Sequence, residues 1–329
     1  MINLPRLKIA QLPTPIQPMP RLAAVLGGPR LLVKRDDQTG LALGGNKTRK
    51  LELLVAEAQA NGARTLVTAG AVQSNHCRQT AAAAALFGLD CILVLAGDQP
   101  DRPSGNMLLD LLFGAELVWG STETRDQLLE QTFRYAWDQG RRPYLVPYGG
   151  SSPTGAAAYV LAVEELLAQC ADTELEGCPP DWIVLPSSSG GTHAGLALGA
   201  RLYGFSGKVL GISVDQPAEA LKARVAALAQ AIADLLGERI RFSPGDILAD
   251  SNYLGGGYGV LGEAEREAVH LFARNEGLLL DPVYTGRAAA GMIDLIRKGF
   301  FKQDETVLFW HTGGTPALFA EKYRDLVNP

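Results

Sequence analysis

Residues 64–97 read RTLVTAGAVQSNHCRQTAAAAALFGLDCILVLAG, and this stretch decides the fold class. A β-branched run at Thr65–Thr68 gives way to small and polar residues, then to a helical stretch at Asn75–Phe87, then to a second apolar run at Cys91–Leu95. Further runs follow at Glu116–Trp119 and Tyr144–Val146, with helical stretches at Ser104–Phe113 and Thr124–Trp137 between them. Strand starts about 27 residues apart suit βα units feeding a parallel sheet. Upstream, Arg49–Asn61 carries Leu51, Leu54, Val55 and Ala58 at i, i+3, i+4, i+7 and stops on Asn61-Gly62, an amphipathic helix with its stop signal.

Downstream the rhythm is less regular. Trp182–Leu185, Lys208–Val214, Leu278–Leu280 and Val307–Trp310 read as buried strands. Gly190–Tyr203, Ala218–Leu236, Glu263–Glu276 and Gly286–Lys298 read as helices, Pro316–Leu326 closes the chain, and Leu31–Lys34 adds a strand near its start. The expected fold is α/β with two lobes, each a mostly parallel open sheet flanked by helices.

At 329 residues the chain has room for about two domains. Hydrophobic residues make up 47% and charged residues 20%, which excludes disordered and fibrous classes. A net charge of −5 argues against nucleic acid or an anionic membrane as partner. The longest uncharged stretches are broken by Pro, Gly and Ser, and the N-terminal residues have no apolar run suited to a signal peptide. The four cysteines, Cys77, Cys91, Cys170 and Cys178, form no CxxC pair and no metal-ligand spacing with His. They read as reduced thiols in a cytoplasmic protein with no metal site.

Ligands of open α/β sheets sit beyond the carboxyl ends of strands, so the residues there carry the functional reading. Gly44-Gly45-Asn46-Lys47-Thr48-Arg49-Lys50 puts three cations at a helix start, where they oppose the helix dipole unless something anionic lies near. The spacing from Gly40 misses the phosphate-loop motif because Asn46 separates Gly45 from Lys47. Ser187-Ser188-Ser189-Gly190-Gly191-Thr192 has the hydroxyls and exposed N–H groups of a phosphate cradle, beyond what a helix cap needs. Gln73-Ser74-Asn75-His76 is a donor-rich turn suited to a carboxylate, with His76 more plainly a hydrogen-bonder than a base. Gly257-Tyr258-Gly259-Val260-Leu261-Gly262 matches a dinucleotide fingerprint only by letters, since no strand leads into it. Tyr258 itself is placed by its glycines to project a phenol into a cleft. Tyr284, Thr285 and Thr312 follow apolar runs in the second lobe. A lysine able to form a Schiff base, a phosphate cradle and a site for a flat ring together imply pyridoxal 5′-phosphate (PLP). A non-catalytic phosphate- or nucleotide-binding protein would explain the glycine loops but not Lys47 and Tyr284.

GGNKTRKLE (44–52), AGAVQSNHCRQTAA (69–82), SGGTHAGLA (189–197), LLLDPVYTG (278–286) and HTGGTPALF (311–319) resemble the D-cysteine desulfhydrase and 1-aminocyclopropane-1-carboxylate (ACC) deaminase family of fold-type II PLP enzymes. The resemblance spans Pro13 to Phe319. It implies PLP in the cleft between the lobes, carried by Lys47, with Asn75 on its phenolic oxygen and Ser189, Gly190, Gly191 and Thr192 on its phosphate. It also implies Tyr284 against the pyridine ring, Thr285 or Thr312 near the ring nitrogen, and Ser74 and Tyr258 facing a small amino-acid substrate. Lys47, Ser74, Tyr258 and Tyr284 are thus the expected catalytic residues. A homodimer is implied too. Residues 1–48 with 150–329 would form the large PLP-binding domain and 49–149 a small α/β domain inserted in it. ACC deaminases carry Glu after this tyrosine; Thr285 here matches the desulfhydrases and L-cysteate sulfo-lyases instead. The implied reaction is α,β-elimination, with D-cysteine as substrate and ACC or L-cysteate as alternatives.

Overall fold

Short β-branched runs and alanine-rich helices build two separate sheets in the computed structural model, which describes residues 4–172 and 175–327. The chain opens with β1 (Ile16–Pro18), α1 (Pro20–Leu26) and β2 (Arg30–Arg35), then passes through two 3-10 turns into α2 (Asn46–Ala60). Four strands follow: β3 (Thr65–Ala71), β4 (Asp90–Ala96), β5 (Glu116–Gly120) and β6 (Pro143–Leu145). Between them run α3 (Asn75–Leu86), α4 (Gly105–Leu112) and α5 (Arg125–Asp138). These strands form an all-parallel sheet in the order β5-β4-β3-β6.

The second half runs α6 (Pro153–Ala171), β7 (Trp182–Ser187), α7 (Gly191–Leu202), β8 (Lys208–Ser213), α8 (Ala218–Leu236), β9 (Leu248–Asp250), α9 (Glu263–Glu276), α10 (Thr285–Arg297) and β10 (Thr306–His311). Its sheet has the order β1-β2-β10-β7-β8-β9, parallel except for the edge strand β1. Strands β7 and β10 are buried at every position, which is why they read as unbroken apolar runs.

Helix α2 joins the lobes. Leu51, Leu54, Val55 and Ala58 enter the core of the small sheet, while Leu53 enters the cluster formed with α6, α7 and α8. The helix starts at Asn46, before the expected Arg49, so the cations lie inside it. None of its Lys50 or Arg49 charge is a solvated helix start. Arg49 is buried and bonds Asp36 and Glu165, with N–O distances of 2.8 Å to each. Asp36 also accepts from Thr14 Oγ1, Tyr159 OH and Trp310 Nε1. A buried carboxylate with this many donors is held below its ordinary pKa: the Arg49 charge and hydrogen bonds outweigh the opposing burial.

Three expectations need correction, and one helix was not among those expected. Leu278–Leu280 forms no ladder; its Leu279 carbonyl is instead met by the His311 ring at 3.2 Å. Helix α6 is absent from the periodicity reading because its Ala156–Val160 stretch is buried on every face, leaving no polar stripe. Pro153 at its first turn and Ser152, which accepts from Gly155 N–H at 3.2 Å, were its readable start signals. Pro316–Leu326 is two 3-10 segments, Thr315–Phe319 and Glu321–Val327. Cys170 and Cys178 are not free thiols: the end of α6 and the loop before β7 bring their Cα atoms to 5.1 Å and a disulfide joins them. Cys77 and Cys91 stay free and buried. Among the described residues no helix is long and apolar enough to cross a membrane.

Candidate active site

The carboxyl ends of β3 and β7 face one cleft. Lys47, Ser74, Asn75, Ser189, Tyr284 and Thr312 are all on its wall. The cleft therefore gathers motifs from Asn46 to Thr312.

Lys47 sits in the first turn of α2, whose start is fixed by backbone approach. Gly45 N–H donates to the Asp36 carbonyl, Asn46 N–H to the Thr312 carbonyl at 3.0 Å, and a Cβ on Gly313 would stand 2.6 Å from Gly45 Cα. Two glycines are needed for the loops to touch. Burial lowers the Lys47 amine to about 8, so a sizeable neutral fraction exists near neutrality. His76 is a neutral ring, pushed well below its ordinary value by burial and then by the charges of Lys47 and Lys50. Its Nε2 meets Thr68 Oγ1 at 2.9 Å, which is the hydrogen-bonder role.

The cradle occupies the N-terminus of α7. Asn46 Nδ2 donates to Thr192 Oγ1 at 3.0 Å, and the Ser151 and Ser189 hydroxyls meet at 2.8 Å. Gly191 N–H donates to Ser151 Oγ at 3.2 Å, while Lys50 Nζ donates to the Gly149 carbonyl at 3.0 Å and reaches Ser151 Oγ at 3.4 Å. A Cβ on Gly191 would stand 2.8 Å from Lys50 Nζ. A helix N-terminus, paired hydroxyls and a buried lysine suit a phosphate dianion.

On the opposite wall, Ser74 caps α3 by accepting from Cys77 N–H, which leaves its own hydrogen for another partner. Tyr284 OH and Tyr258 OH meet at 2.5 Å with their rings edge to face at 5.8 Å. Burial raises the Tyr284 phenol well above its ordinary value, so it keeps its proton. Tyr258 reaches the cleft through this bond and otherwise faces a neighbouring cavity. Thr312 and Thr285 part company. Thr312 is on the cleft wall, whereas Thr285 is fully buried behind it, its hydroxyl donating to Asp281 Oδ1 at 2.7 Å.

The description "Pyridoxal-phosphate dependent enzyme" fits residues 7–313 as a family match. The chain belongs to that family. It is 45% identical to the D-cysteine desulfhydrase of Salmonella choleraesuis (strain SC-B67) and 44% identical to that of Salmonella typhi, each alignment covering 97% of both chains. A crystal structure titled as an ACC deaminase homologue superposes with a TM-score of 0.87 at 37% identity, covering 99% of this chain and 97% of that one. The cofactor is therefore PLP, and the cleft suits it. A depressed lysine amine, a cradle that a single Cβ would fill, and a tyrosine ring are present together.

Sequence reading passed over Lys50, Ser151 and Asn46 as cradle components. Lys50 is one of three cations at the start of α2, and nothing local sets it apart from Arg49. Ser151 belongs to a segment with no motif of its own, and only the fold carries it to Gly191.

Proposed function

We propose that this PLP-dependent enzyme is a carbon–sulfur lyase. It would convert D-cysteine and water to pyruvate, sulfide and ammonia by α,β-elimination. The observation that carries this is the cleft that brings Lys47, the Ser189–Thr192 cradle, Tyr284 and the neutral hydroxyl of Thr312 together, with desulfhydrase relatives aligned over 97% of the chain in support.

When bound, PLP supplies an electron sink conjugated to the substrate Cα. The chain's own residues supply the rest. Lys47 would hold the cofactor, and its Nζ is the group that would take the Cα proton; a pKa near 8 lets it accept and return one. Ser74 and Tyr258 assist or replace it according to the face of the substrate presented. Ser189, Gly190, Gly191 and Thr192 would hold the phosphate with Lys50 as counter-charge, Asn75 would hold the ring oxygen, and Tyr284 would cover the ring. A threonine hydroxyl near the ring nitrogen, which the placement of Thr312 favours over Thr285, makes a weaker sink than a carboxylate. Loss of a thiolate tolerates that, because the leaving group carries the charge away; opening a cyclopropane does not.

The family resemblance supports a cytoplasmic homodimer organised as residues 1–48 with 150–329 and an inserted 49–149. The test is incubation of the purified holoenzyme with D-cysteine, L-cysteine, L-cysteate and ACC, measuring keto acid, sulfide, sulfite and ammonia. Sulfide and pyruvate from D-cysteine, with little ammonia from ACC, are expected. Equal or faster deamination of ACC overturns the proposal.

A further inference from the structure

We propose that Asn106 is a positioning residue that fixes which end of the Asn75 amide faces the cofactor. The proposal rests on the reading that this cleft holds PLP with Asn75 at its ring oxygen.

An asparagine amide has nearly the same shape either way round, so its orientation must be imposed by partners that cannot reverse. Arg78, one turn along α3 from Asn75, is such a partner, because a guanidinium only donates. Its Nη2 donates to the Gly44 carbonyl at 2.7 Å and its Nη1 to Asn106 Oδ1 at 3.0 Å. With its oxygen committed to Arg78, Asn106 turns Nδ2 the other way, donating to the Gln73 carbonyl and to Asn75 Oδ1, both at 2.9 Å. Arg78 Nη1 also reaches Asn75 Oδ1 at 3.5 Å. The Asn75 oxygen is thus occupied by donors from behind, and the group left for the cleft is its NH2.

Asn106 cannot easily swing out of this role. Its backbone N–H donates to Gln73 Oε1 at 2.8 Å, and Gln73 Nε2 donates to the Ser104 carbonyl at 2.9 Å. Arg78 and Asn106 are fully buried and Asn75 nearly so. The carboxyl of Asp110, one turn along α4 from Asn106, has both oxygens without a hydrogen-bond partner, and burial raises it to about 8. It is therefore mostly protonated at neutral pH and leaves the Arg78 charge largely uncompensated. A donor backed by a buried cation favours an ionised ring oxygen over a neutral hydroxyl. Arg78 and Asn106 touch neither cofactor nor substrate; they act through Asn75.

The test compares wild type, Asn106→Asp, Asn106→Leu, Asn75→Ala and the Asn75→Ala/Asn106→Asp double variant. It measures PLP dissociation constant, the pH titration of the visible cofactor band, and apoprotein melting. Asn106→Asp keeps the shape but offers Asn75 only acceptors, so the amide should reverse. Expected are a loss of PLP affinity of roughly tenfold or more and a displaced titration of the visible band. Asn106→Leu should lose affinity through a free amide, and Asn106→Asp should add nothing in the Asn75→Ala background. Unchanged affinity and spectrum in both Asn106 variants overturns the proposal, as does a full additional effect in the Asn75→Ala background. Wild type that binds no PLP overturns the reading of the cleft itself.

Discussion

Lys47 and Lys50 stand one turn apart on α2, Lys47 on the cleft wall and Lys50 buried with its Nζ on the Gly149 carbonyl at 3.0 Å. Two ammonium groups that close in a buried site oppose each other's charge. Burial is the larger cause, holding Lys47 near 8 and Lys50 well below the ordinary lysine value, with the charge of Lys47 depressing Lys50 further. One helix start thus offers a nucleophilic amine and a group that a phosphate dianion can recharge.

Covalent capture of PLP by the apoprotein should follow the neutral form of Lys47. The observed rate is expected to rise up to tenfold per pH unit and level off above about pH 8, read by stopped-flow absorbance. A rate that is flat from pH 6 to 9 would show that the amine is already free.

Lys47→Ala should abolish borohydride-fixed cofactor and turnover while the melting temperature stays close to wild type. Fixed cofactor on a peptide containing Lys34 or Lys50 would move the anchor there.

Gly191→Ala places a methyl group against Ser151 Oγ and 2.8 Å from Lys50 Nζ. The cradle must open to accept it. PLP affinity should fall more than tenfold, about 1.4 kcal/mol or more, in equilibrium dialysis. Wild-type affinity in this variant would place the phosphate elsewhere.

Thr285 and Thr312 should separate cleanly by readout. Thr285→Val removes the hydroxyl that donates to Asp281, at the N-terminus of α10, and should cost about 1 kcal/mol in chemical denaturation. Its cofactor spectrum should change little. Thr312→Val should shift the spectrum and leave stability nearly intact. Thr285→Glu would bury a carboxylate beside Asp281 and is expected to destabilise the fold before any gain of ACC deamination appears.

Asp110 makes stability depend on pH. Its folded pKa of about 8 lies above the unfolded value, so between roughly pH 4 and 8 the folded state holds the extra proton. Stability should therefore fall as pH rises through this window. Asp110→Asn should flatten the slope and raise the melting temperature at pH 8 relative to wild type. Parallel curves for the two proteins across pH 5–8 would contradict this.

The legible parts of the chain were those whose signal is local. The βα rhythm of 64–147, the exact spans of α8 and α9, and the glycine-hydroxyl turns that line the cleft could all be read because turn residues and period mark them directly. Illegible parts depend on distant partners. The anionic partners that Arg49 needs, Asp36 and Glu165, are brought to it only by folding. The alanines at Ala156–Ala158 of α6 carry no stripe because that part of the helix is buried on every face, and the Cys170–Cys178 disulfide follows from where that helix ends. The different placements of Thr285 and Thr312 depend on Asp281, which takes the Thr285 hydroxyl.

Helix α2 runs through the proposed cut between residues 48 and 49, with Asn46 and Arg49 tied to the large sheet's surroundings and Leu51, Leu54 and Ala58 in the small sheet's core. The small lobe is thus not a cassette that recombination could lift out and replace. Exchanging it at 48/49 with a relative's would graft all but the first three residues of the 15-residue helix, carrying away the Arg49 that balances buried Asp36. Chimeras with the upstream join before residue 36, which move Asp36, the lysine turn and Arg49 together, keep that charge balance within one parent. A joint inside the helix would instead give insoluble protein when the two parents differ at these positions.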